Sequence, residues 1–280
     1  MAWMKPVWTI IWKTVLFVIV WGIMLAPFIV PFADRIKEME QSYPLQTRLY
    51  YDFISAITVV FAAWVMVRFI ERRALVTIGF ARGRIMRDCL LGLGLGATWL
   101  GLSVAALWIC GWTSPGSFGT ISVAALAWAA AAMAFNTLAQ EVLTRSYIFQ
   151  TIKSQSNPVW AIVLTSLLFV AVHAGVYRGA ILPAINVFAA GVLFAVAYHV
   201  TGNLWLPTAI HFMWNYLLGP VLGLVVSGQT HLRVGWQLFT VQGPSFFTGG
   251  AFGLEGGIIT TLTTVGTTLL LLLIFRRKTV

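Results

Sequence analysis

Five side chains able to do chemistry stand inside otherwise apolar stretches: Glu141, Arg145, His173, His211 and Asn215, with the neutral amide of Gln140 beside Glu141. An ionisable group at the centre of a bilayer costs about 2.5–3.5 kcal/mol on insertion scales, so each such residue marks a candidate functional site. Glu141 and Arg145 are four apart in sequence, as are His211 and Asn215, and residues at that spacing share one helix face. A carboxylate and an imidazole together activate water. A second imidazole and an amide donate hydrogen bonds to the oxyanion formed when that water attacks a peptide carbonyl. Arg145 would hold Glu141 ionised and oriented through a charge-assisted bond. The alternative for Glu141 with Arg145 is a structural ion pair, and for a lone His173 a satisfied core histidine. The set taken together argues for a shared site. His199, near a helix end, and His231, in a connection, read as structural or interfacial.

The elements that must position these residues are membrane helices. Of 280 residues, 59% are apolar and 9% charged, with mean hydropathy +0.88; an ordinary soluble domain has roughly 45–50% and about 25%. The apolar runs are continuous instead of alternating, which favours helices over a barrel. The pattern predicts an all-α, polytopic transmembrane bundle of about eight helices, forming a single integral-membrane domain over residues 1–280. The spans fall near residues 9–31, 51–70, 89–111, 121–150, 158–176, 182–200, 204–226 and 258–275. The fourth exceeds what a bilayer requires, so it is expected to tilt, break or end at the interface. Residues 15–32 are too long for a usual signal core and read as a retained first span. Cys89 and Cys110 sit near opposite ends of one span, about 31 Å apart at 1.5 Å per residue, too far to pair.

The net charge of +10 comes from basic residues without aromatic interleaving, placed between spans, so membrane topology explains it better than nucleic acid. Lys5, Lys13, Arg68, Arg72, Arg73, Arg82, Arg84, Arg87, Arg145, Lys153, Arg276, Arg277 and Lys278 fall on one side; Arg35, Lys37, Arg48, Arg178 and Arg233 fall on the other. The excess places both termini in the cytoplasm. Segment 71–88 is expected on the anionic inner leaflet, and segment 227–257 outside. Along their helices Glu141 lies about 18 Å from Lys153, His173 about 22 Å from Pro158 and His211 about 12 Å from Asn203. Those depths predict one pocket near mid-bilayer, opening to the cytosol.

Three stretches occur in order: Gln140-Glu141-Val142-Leu143-Thr144-Arg145, Phe169-Val170-Ala171-Val172-His173 and His211-Phe212-Met213-Trp214-Asn215. They resemble the three signatures of the CPBP (CAAX-protease and bacteriocin-processing, or Abi) family of intramembrane glutamic-type endopeptidases. Residues 201–207 and 249–257 also look like bacterial members, and the likeness covers about residues 85–275. The resemblance implies an eight-helix intramembrane bundle in a bacterial cytoplasmic membrane. It implies peptide hydrolysis of membrane-embedded or prenylated-type substrates by an activated water without an obligatory metal. Carried across, His173 assists the water, His211 and Asn215 form the oxyanion site, and Glu141 and Arg145 support it. One position departs: the first signature usually has two glutamates, and the first of them, the implied base, is Gln140 here. An amide cannot accept that proton. Either Glu141 takes over, or the protein is weakened and keeps the pocket for binding, as an immunity or partner-binding protein would. Ser146 also stands where glycine commonly follows the arginine. A zinc site built from His173, His211 and Glu141 is a further alternative, because zinc accepts two imidazoles and a carboxylate with one open position.

Overall fold

The computed structural model describes residues 4–117, 119–120, 122–177, 180–229 and 234–276. His231 and four of the basic residues used for topology, Arg178, Arg233, Arg277 and Lys278, lie outside the described residues.

The chain is a helical bundle. Helix α1 (Met4–Ile29) runs through a 3-10 turn into the polar α2 (Ala33–Ser42), and α3 (Pro44–Val65) extends through a π turn to Ile70. After α4 (Ile85–Ile109) come strand β1 (Thr113–Pro115), α5 (Val123–Glu141), α6 (Tyr147–Gln155) and α7 (Pro158–Val172). Next are α8 (Ile181–Thr201), α9 (Trp205–Tyr216), β2 (Phe239–Val241), the short α10 (Ser245–Thr248) and α11 (Ile258–Arg276).

Among the described residues, six helical segments are long and apolar enough to cross a membrane: Lys5–Ser42, Pro44–Ile70, Ile85–Ile109, Val123–Gln155, Ile181–Thr201 and Ile258–Arg276. The spans expected at 158–176 and 204–226 are shorter helices. The first ends at His173, and the second passes from α9 into a π turn, Leu217–Val221, before leaving helical geometry. Helix α9 is buried among its neighbours and need not span the full hydrocarbon thickness, whereas α7 buries one face, Ala161, Thr165, Ser166 and Phe169, and turns Val159, Trp160, Leu167 and Val172 outward. The long fourth span is broken as its length suggested, by a π turn at Val142–Ser146 between α5 and α6.

Local sequence sets these boundaries. Asn157 accepts a hydrogen bond from the Trp160 backbone N–H at 3.1 Å and Pro158 occupies the first turn of α7, a capped start in which the missing proline donor costs nothing. Gly202, at φ +69°, closes α8 in the left-handed conformation that glycine adopts without strain. Two faces result. One carries segment 71–84 and the turns 156–157 and 202–204. The other carries the loops leading into α5, α8 and α11, and there β1 pairs antiparallel with β2, Thr113 opposite Val241.

Helix α9 is held against α4 by small residues. A Cβ at Gly92 would lie 2.6 Å from Ala209 Cβ, and one at Gly96 would lie 2.7 Å from the Ile210 carbonyl; this close approach is how helices associate where lipid removes the hydrophobic drive. One turn further, the Trp99 and Trp214 rings stack with centroids 3.7 Å apart. On the 71–84 face, Lys13 donates to Glu71 at 2.6 Å and Tyr147 Oη donates to the same oxygen at 2.9 Å, tying α1, α6 and the end of α3.

Candidate active site

The site begins where α5 yields to the π turn. Such turns often mark functional positions, and this one carries Arg145 just past Glu141. Both side chains are fully buried. Arg145 Nε stands 3.5 Å from Glu141 Oε2. Arg145 Nη2 donates to the Gly191 carbonyl of α8 at 3.0 Å and Nη1 donates to Thr144 Oγ1. The guanidinium also lies 4.4 Å over the Phe169 ring and 5.7 Å from Phe194, a cation–π cage that offsets lost hydration.

The other oxygen of Glu141 crosses to α9. His211 Nδ1 is 2.9 Å from Glu141 Oε1. An ionised carboxylate only accepts, so Nδ1 carries the hydrogen and Nε2 keeps its lone pair. The imidazole is clamped by aromatic rings, stacked on Phe194 at 4.6 Å and edge-on to Phe169 at 5.7 Å. Carboxylate, guanidinium and imidazole from α5, the π turn and α9 thus meet at one place.

His173 caps the end of α7. Its Nδ1 donates to the Phe169 carbonyl at 2.8 Å, its ring lies 4.5 Å from that of Phe169, and it stands within electrostatic reach of His211, Arg145 and Glu141. Asn215 is buried one turn beyond His211 on the same face. Gln140 turns elsewhere: its Nε2 donates to Asn136 Oδ1 at 2.8 Å, Asn136 Nδ2 donates to Asp52 Oδ1 at 2.9 Å, and Arg48 Nε donates to Asp52 Oδ2 at 2.6 Å. At Gln140, therefore, an amide closes a polar chain between α3 and α5.

Next to His211 is a cavity of about 30 Å³, with Trp99, Phe169, Asn186, Phe194, Trp214, Ser227, Glu255 and Thr260 among its lining residues. A water needs about 10–15 Å³ of such space, so the cavity takes one or two waters. A peptide carbonyl enters only if a wall moves. Ser227 and Glu255 belong to the 222–257 connection, so the cavity lies between His211 and the face that carries the loops leading into α5, α8 and α11.

Glu255 escaped sequence reasoning altogether, because it sits in a glycine-rich connection outside any span. Its signal was the motif at 249–257. The turn needs glycine at Gly253, where φ is +86° and a Cβ would lie 2.8 Å from Val225 Cβ. Glu255 Oε1 accepts from Trp214 Nε1 at 3.0 Å, and Oε2 accepts from the Ser227 backbone N–H. Asn186 Nδ2 of α8 donates to the carbonyls of Glu255 at 2.8 Å and Gly257 at 2.9 Å, pinning the backbone. Burial pushes the Glu255 carboxyl above the usual carboxylate range, against the pull of the Ser227 N–H, the Trp214 indole and His211.

The donor set does not assemble a zinc site. Among the described residues no three His, Cys, Asp or Glu side chains converge on a metal position; Glu141 and His211 bond to each other, while His173 is tied to the Phe169 carbonyl. What the arrangement can do is hold a water beside an imidazole whose tautomer is set by a buried carboxylate.

No curated protein and no solved structure matches the chain. Residues 121–217, which carry α5 through α9 and with them Gln140, Glu141, Arg145, His173, His211 and Asn215, match the family model described as Rce1-like, Type II CAAX prenyl endopeptidase Rce1-like, and this segment is therefore similar to a CAAX-type membrane protease.

Proposed function

We propose that the chain is an intramembrane endopeptidase that hydrolyses a peptide bond in a membrane-embedded or prenylated-type substrate, using a water activated by His211. The observation that carries this reading is the 2.9 Å contact between Glu141 and His211 across α5 and α9, beside a cavity of water size. Glu141 fixes the Nδ1–H tautomer and balances the imidazolium that forms; Nε2 takes a proton from water as its oxygen attacks the carbonyl carbon. Arg145, 3.5 Å away, places a positive charge opposite Glu141. His173 assists the water, and Asn215 offers its amide N–H to the oxyanion. His211 thereby moves from the oxyanion role implied by family resemblance to that of base, because Glu141 occupies its Nδ1. The distribution of basic residues supports both termini on the cytoplasmic side of the membrane.

A second reading rests on Gln140, whose amide is spent on Asn136. In that reading the pocket binds a partner, as an immunity protein would, and hydrolysis is weak. The test is cleavage of a farnesylated peptide, and of its unlipidated counterpart, by protein purified into nanodiscs. We expect His211→Asn to lower kcat at least about 100-fold, the loss typical of a removed general base. Wild-type rates in both His211→Asn and His173→Ala would overturn the catalytic reading, and an inert wild type with partner binding intact would favour the second.

A further inference from the structure

Within the peptidase reading, one carboxylate on the cavity wall, Glu255, remains without a role. Glu255 is half-buried against the cavity wall, and withdrawing a carboxylate from water is costly unless hydrogen bonds or a charge partner compensate it. A loop staple alone would be served by a neutral acceptor, since its partners are the Trp214 indole and the Ser227 backbone N–H. Those two bonds use about half of the roughly four acceptor positions of a carboxylate. Glu255 also lines the same water-sized cavity as His211 and interacts with it electrostatically. Among the described residues Tyr177, from the turn after α7, also faces Glu255, and its hydroxyl is committed to the Val170 carbonyl at 3.1 Å. Glu141 accepts from His211 through Oε1 and faces Arg145 Nε at 3.5 Å through Oε2, but it is not among the residues lining the cavity.

We propose that Glu255 is a catalytic residue: its carboxylate and His211 Nε2 accept the two hydrogens of one water in the cavity, so the 222–257 connection supplies the carboxylate that α5 lacks at Gln140. The water proton facing His211 passes to Nε2 as the oxygen–carbon bond forms. The second hydrogen stays on the new hydroxyl, held by Glu255, which also balances the imidazolium charge. The imidazolium then returns its proton to the peptide nitrogen as the carbon–nitrogen bond breaks, leaving a carboxyl terminus and an amine.

The test has two arms on the full-length protein in nanodiscs. In the first, infrared titration follows the Glu255 carboxyl, assigned by its loss in Glu255→Gln or, where that variant does not fold, by its displacement in Glu255→Asp. His211→Asn removes the facing imidazole and should move that titration upward; an unmoved midpoint overturns the pairing. This arm needs no turnover. In the second, Glu255→Gln should lower kcat at least about 100-fold with KM within about threefold, and the wild-type acidic limb should lie above the range of an ordinary carboxylate, about 4.3. Wild-type kcat in a folded Glu255→Gln overturns the inference and leaves the peptidase reading standing. A coupled titration in a wild type that cleaves nothing supports the shared-water pair and sinks the peptidase reading.

Discussion

Replacing Glu141 by glutamine separates the two tasks this carboxylate performs, because the amide keeps the shape and removes the charge. Arg145 then remains fully buried with no anion opposite it. At the observed 3.5 Å, two unit charges attract by about 5 kcal/mol at an effective dielectric of about 20. The Phe169 and Phe194 faces and the Gly191 carbonyl hold the guanidinium in both proteins, so they cancel in the comparison. Breaking one partner of a buried pair costs about 3–5 kcal/mol, a shift of two to four orders of magnitude in the unfolding equilibrium. The assay is reversible unfolding in mixed micelles, comparing wild type, Glu141→Gln and the double variant Glu141→Gln/Arg145→Gln. The double variant should recover most of the lost stability, since no lone charge is left inside. It should not recover cleavage, because the glutamine amide can donate to Nδ1 and drive the hydrogen to Nε2, destroying the base; the comparable change in a serine protease triad costs about 10⁴ in kcat. A single variant as stable as wild type, or a double variant no more stable than the single, would refute the ion-pair reasoning.

Gly92→Leu should lower stability by about 1–3 kcal/mol through overpacking and reduce kcat by displacing α9, since even a Cβ there meets Ala209 at 2.6 Å; unchanged melting and kinetics would mean the α4–α9 contact does not position His211. Gln140→Glu should change kcat by no more than about threefold, because residue 140 is bonded to Asn136 and lies off the cavity wall; a large gain in the cleavage assay would mark the natural chain as weakened. Exhaustive chelation should leave turnover unchanged, and loss of activity restored by stoichiometric zinc would contradict the donor geometry.

The sequence pattern conveyed the architecture because membrane helices announce themselves one at a time, through apolar runs that need no partner to be recognised. It also singled out Glu141, Arg145 and His211, since each is a polar residue in a segment where polarity is expensive. Which imidazole pairs with Glu141 was not legible: His173 and His211 are equivalent by cost, and only the α4–α9 crossing at Gly92 and Gly96 decides that His211 faces α5. The shortness of α7 and α9 was hidden for a related reason, because residues 173–176 and 217–226 are apolar enough to continue a helix and their turns answer to tertiary packing. Glu255 was least legible. In a glycine-rich connection a glutamate is unremarkable by composition, and its place on the cavity wall depends on Asn186, Trp214 and a turn that no spacing rule links to His211.

The central claim is that Glu141 and His211 act as one unit on a bound water, and a double-mutant cycle on kcat tests it most directly. Groups that work through one another are strongly non-additive. Glu141→Ala/His211→Asn should therefore be no slower than His211→Asn alone, within about threefold. If the two losses instead multiply, the residues act independently and the assignment of Glu141 as the orienter of His211 is wrong.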